Sequence, residues 1–131
     1  MSNLSYLKDA TPFCKRYAMN LKRTLSTLNS KDGEIADMIA TSRNDVSTFN
    51  DLVNKVLSIK ESTYGRTFSL KSAWITAARI REDMTMARFA QTIGVQPRSI
   101  QAWETDTRTP KLDKLLRYAI TKGLPSDLLL K

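Results

Sequence analysis

A chain of 131 residues has room for one ordinary domain or two very small ones, and not for a large enzyme scaffold. With 41% hydrophobic and 26% charged residues it fits a globular protein rather than a disordered or membrane-embedded one. Histidine is absent and Cys14 is the single cysteine, which excludes an internal disulfide framework, most transition-metal sites and any histidine-based catalytic triad.

No glycine-rich phosphate loop or catalytic carboxylate pair is visible, so neither an enzyme nor a bound metal or cofactor is expected. No apolar run approaches the roughly 18 residues of a membrane span, and Met1-Ser2-Asn3-Leu4-Ser5 lacks the order of a signal peptide. A cytoplasmic location is the expectation. The net charge of +8 is unevenly placed. Residues 1–65 hold 9 Lys and Arg against 7 Asp and Glu, whereas residues 66–131 hold 12 against 6. A basic C-terminal half suits a polyanionic partner, but charge alone fits a solvated surface equally well.

Few glycines and prolines and scarce β-branched alternation predict an all-α chain. Thr11-Pro12 opens a first helix with Phe13, Tyr17, Leu21, Leu25 and Leu28 on one stripe, which Ser30-Lys31-Asp32-Gly33 ends. Cys14, on this helix, reads as a buried small apolar group. A short helix over 34–40 and a longer one over 43–60 follow, the latter burying Val46, Phe49, Val53, Val56 and Leu57. The polar stretch 62–69 reads as a linker between a helical N-terminal region, 1–61, and a C-terminal unit, 70–131.

That unit starts with Ser69 as a cap and a helix over 70–82 with Trp74, Ala77 and Ala78 inward. Thr85 caps a short helix to Ile93, Gly94 ends it, and Gln96-Pro97 opens another to Glu104. After a polar loop, Pro110 starts a helix through Lys122, which Gly123 stops. A last turn over 125–130 completes five short helices.

A helix-turn-helix requires a small residue where two helices cross, a turn, and apolar anchors locking the second helix with one face free. Ala90 is the small residue and Gly94 the turn. Phe89, Ile93, Val95, Ile100 and Trp103 are the anchors. Gln96, Arg98, Ser99, Gln101 and Ala102 are left pointing outward.

With Trp103-Glu104 ending that helix and Arg108-Thr109-Pro110 before the next, residues 70–131 resemble the Cro/repressor (XRE-type) helix-turn-helix family of phages and bacteria. The resemblance implies a five-helix domain and a sequence-specific transcriptional regulator, most simply a repressor of bacterial, phage or mobile-element origin. It implies base reading by Gln96, Arg98, Ser99, Gln101 and Ala102 on helix 97–104. Phosphates would be held by Thr85, Arg88, Arg108, Thr109 and Lys111. It also implies an ion pair between Arg79 and Glu104. Met86 departs from the glutamine frequent at that position in the family, leaving its contact to Thr85 or Arg88.

A weaker copy lies 54 residues upstream, over 35–49, placing Ala36 on Ala90, Ile39 on Ile93, Ala40 on Gly94, Val46 on Ile100 and Phe49 on Trp103. Its exposed set, Ser42, Arg43, Asn44, Ser47 and Thr48, holds donors suited to DNA, while Asp37 and Asp45 oppose phosphate. A second DNA contact and a structural or dimerising role are both open for it. The expected partners are double-stranded DNA and a second copy of the chain, with a protein partner through the N-terminal half as the alternative. A DNA-architectural factor or an antitoxin-like adaptor are the rival functions.

Overall fold

The computed structural model describes residues 34–131. The helix expected from Thr11-Pro12 and the burial expected for Cys14 lie outside those residues. Within them the chain is helical, without strands: α1 Glu34–Asn44, a 3-10 turn Val46–Thr48, α2 Phe49–Tyr64, α3 Leu70–Arg81, α4 Met86–Ile93, α5 Pro97–Glu104, α6 Leu112–Lys122 and a 3-10 turn Asp127–Leu130.

The helix ends are set locally. Ser69 accepts a hydrogen bond from the Ser72 amide (3.1 Å) and Thr85 one from the Arg88 amide (3.1 Å), each removing an orphan donor at a helix start. α6 begins at Leu112 rather than at Pro110, with Lys111 in extended conformation as its N-cap. α2 continues past Lys60 to Tyr64 and stops at Gly65, whose amide bonds back to the Glu61 carbonyl. The connection to α3 is therefore 65–69.

The central element is α3, which lies between α2 and the pair α4–α5. Nine of its residues, from Ser72 through Arg79 and again Arg81, are buried. A helix covered on most of its circumference cannot be read as an amphipathic stripe, and its small residues, Ala73, Ala77 and Ala78, admit close neighbours. Phe49, Leu52, Val53 and Val56 of α2 belong to the same buried cluster as Trp74, Phe89, Ile100 and Leu129. Trp74 meets Phe49 edge-on at 5.4 Å and Tyr118 at 6.5 Å, and its indole donates to the Pro125 carbonyl (3.0 Å). Leu128 and Leu129 thereby pack on their own domain, while Leu130 stays exposed.

The upstream segment differs from its expected form. Ala40, aligned with the Gly94 turn, sits inside α1, and the chain turns only at Asp45. Ala36 is exposed instead of lying at a crossing, and Val46, an expected anchor, is 37% exposed. No residue in 36–44 is Gly or Pro, so nothing stops the helix at the aligned turn. Ser42, expected to face DNA, is buried, and its hydroxyl donates to the Ile39 carbonyl (3.0 Å). Arg43 donates from Nε to the Arg81 carbonyl, and Arg81 returns a bond to the Ser42 carbonyl (3.1 Å). Ser42 and Arg43 thus fasten α1 to the end of α3. Asn44 is exposed, as is Ser47, and Thr48 is half-buried. Ser47 donates to Asp45 and Thr48 to its carbonyl (2.8 Å), which closes the turn.

Candidate nucleic-acid interface

The site is built on α4 and α5. Phe89, Ala90, Ile93, Ile100 and Trp103 are buried and Val95 half-buried, so the inner faces of both helices are committed to the core. Ala90 lets the helices approach, and its carbonyl accepts the amides of Gly94 and Val95 (both 2.9 Å). Gly94 closes that turn at φ +78, a left-handed conformation costly for a residue with a Cβ. Pro97 occupies the first turn of α5, where its missing amide is no loss.

The outer face of α5 carries Gln96 and Arg98 exposed, with Ser99, Gln101 and Ala102 half-buried. Around it Thr85, Arg88, Arg108, Thr109 and Lys111 are all exposed. Over residues 85–112 the acids are Glu104 and Asp106 alone. Glu104 is fully buried, and Asp106 spends its carboxylate on the Ser69 amide and hydroxyl, both at 2.6 Å. The fully exposed charges of this stretch, Arg88, Arg98, Arg108 and Lys111, are therefore all positive. Lys114 adds a fifth cation: its ammonium lies 4.0 Å from where a Cβ on Gly94 would stand, beside the turn.

Behind this face lies a polar network. Arg79 Nε donates to Glu104 Oε2 (2.7 Å) and Nη2 to Oε1 (2.9 Å), a two-pronged pair with side chains 10% and 0% exposed. Arg79 Nη1 also donates to the Met84 carbonyl (3.2 Å), which ties the segment leading into α4 to the end of α5. Thr76 donates to Glu104 Oε1 (2.8 Å). Lys60, from α2, reaches into the same network: Nζ donates to the Glu104 carbonyl (2.7 Å) and to Thr76 Oγ1 (3.0 Å). Burial pushes its ammonium down to about 8, against the stabilising charges of Glu104 and Asp106.

Lys60, Thr76 and Lys114 are absent from the sequence-derived site. Lys60 had a signal, because it continues the α2 stripe of Phe49, Val53 and Val56 at helical spacing, where a lysine is out of place. Lys114 had none, since its place beside Gly94 depends on how α6 docks.

An α4–turn–α5 unit with a committed inner face and a cationic outer one defines a helix-turn-helix domain. Residues 75–129 match the family described as Helix-turn-helix, of the Cro/C1 (XRE) type, so this segment is similar to that DNA-binding regulatory family. No curated protein and no solved structure matches the chain. Among the described residues no helix is long and apolar enough to cross a membrane.

Proposed function

We propose that the chain is a sequence-specific DNA-binding repressor of the bacterial, phage or mobile-element type, working as a homodimer and reading the major groove with α5. The observation that carries the reading is the disposition of charge: every fully exposed charge over 85–112 is a cation, and the outward side chains of α5 are base-reading types. Arg98 donates two hydrogen bonds to guanine and Gln101 pairs with adenine, while Gln96, Ser99 and Ala102 complete the surface. Thr85, Arg88, Arg108, Thr109, Lys111 and Lys114 hold phosphates and set the register of the helix. Occupancy of an operator excludes polymerase without any catalytic group.

A protein-binding task for the upstream segment has less support, because the inner faces of α1 and α2 are already used against α3. The test is selection of duplexes from a random pool by the full chain, followed by competition binding with Arg98→Ala and Gln101→Ala. Each substitution should cost about 1–3 kcal/mol of discrimination and leave non-specific affinity nearly unchanged. Unaltered preference in both variants removes α5 from the reading role.

A further inference from the structure

Lys60 lies outside the matched segment 75–129, and its side chain is fully buried, so it touches no DNA directly. Its ammonium nevertheless ends on the last residue of α5. The last carbonyls of a helix have no donor within the helix, and the negative end of the helix dipole gathers there. Lys60 supplies both a donor and a positive charge at that point, 2.7 Å from the Glu104 carbonyl. The Phe68 ring lies 4.8 Å below the ammonium and covers it from the connection before α3.

The last residue of α5 is consequently gripped twice. Arg79 and Thr76 of α3 hold its carboxylate, and Lys60 of α2 holds its carbonyl. Two residues on, Asp106 is tied to Ser69, so the chain leaving α5 is fixed as well. Burying a lysine costs stability that an apolar side chain of similar volume would not, so packing alone does not account for it. What methionine lacks is the donor to α5.

We infer that Lys60 is a positioning residue for base reading, holding α5 at a fixed depth and rotation from α2 and so making residues upstream of the matched segment part of the reading apparatus. This rests on α5 being the base-reading helix. Bidentate contacts from Arg98 and Gln101 tolerate displacements of only about 0.5 Å, so a helix released at one end loses discrimination before it loses charge attraction.

The experiment compares the full chain with Lys60→Met, using a duplex enriched from a random pool by the unsubstituted protein and a scrambled duplex of the same composition. Lys60→Met should stay folded with a melting temperature within a few degrees of the unsubstituted protein, because removing a buried ammonium offsets the loss of its donor to the Glu104 carbonyl. It should keep its scrambled-duplex affinity and salt dependence, and lose roughly threefold to tenfold in preference for the enriched duplex. Amide exchange at 101–105 should accelerate in the variant without DNA. In the unsubstituted protein preference should also decline between about pH 7 and 9.5, and in Lys60→Met it should stay flat. The charged groups facing Lys60 are Glu104, Asp106, Arg79 and Arg66, and Lys60 is the member of the cluster that changes charge in that window.

Unchanged preference with unchanged exchange overturns the inference. So does a fall in both affinities that tracks a lower melting temperature, which makes Lys60 a fold support only. If the pool yields no enriched duplex, the base-reading proposal fails, and exchange at 101–105 alone decides whether Lys60 positions α5. If Lys60→Met does not fold, Lys60→Leu carries the same comparison, and unchanged preference with unchanged exchange at 101–105 in that variant rejects the role.

Discussion

Removing one side of the Arg79–Glu104 pair should destabilise the protein far more than the loss of a surface ion pair. With side chains 10% and 0% exposed, water cannot compensate the charge left behind. Such losses run to about 3–5 kcal/mol, against a total stability of about 5–15 kcal/mol for a small domain. Arg79→Met leaves the Glu104 carboxylate with the Thr76 hydroxyl at 2.8 Å and the nearby Lys60 ammonium, so its loss should fall near 3 kcal/mol, the lower end of that range. Glu104→Gln leaves the Arg79 guanidinium buried and takes from Lys60 the largest charge holding it protonated. Its loss should be about 3–4 kcal/mol. The double variant leaves no unpaired member of the couple and should lie well short of the sum, with a coupling energy of about 2–3 kcal/mol. Urea denaturation of the four proteins at neutral pH in the cold gives the cycle directly. A coupling below about 0.5 kcal/mol would show that each side chain is solvated independently and would refute the network as described.

Stability should rise with pH above about 8. Lys60 binds its proton less tightly folded (about 8) than unfolded (10.5), so the folded state gains as the lysine deprotonates. The shift corresponds to about 3 kcal/mol in full. Tyr118, pushed by burial from 10.0 up to about 12, works oppositely above pH 10, so the gain is read between about pH 8 and 10. A falling or flat stability curve across that window, or a rise that survives in Lys60→Met, contradicts the assignment. Neutralising Arg88, Arg108 or Lys111 singly should weaken every duplex alike and lower the salt slope by about one unit. A changed sequence preference would make the altered residue a reader. Gly94→Ala should cost about 1 kcal/mol in thermal unfolding, since the strain comes from φ +78 and the space around the new Cβ is open. A loss several times larger would mean that the turn repacks.

What the sequence determined by itself was local. Ser69, Thr85, Gln96-Pro97, Gly94 and Gly123 mark helix ends because a cap, a first-turn proline or a left-handed residue acts within a few positions of its own place in the chain. The anchors from Phe89 to Trp103 were legible for the same reason, since their spacing is that of one helical face. The upstream copy shows where that logic ends. Anchor positions align between 35–49 and 89–103, but without a breaker at Ala40 the helix runs on, and the turn forms where Asp45 can cap it. Only tertiary packing decided that α2 lies against α3, and with it the partners that Lys60 meets, the covering of Ile75 and Thr76, and the use of Ser42 and Arg43 as fasteners to Arg81. These depend on residues tens of positions apart, where the free energy of a buried charge is set by which carbonyl another helix presents, and no local pattern encodes that choice.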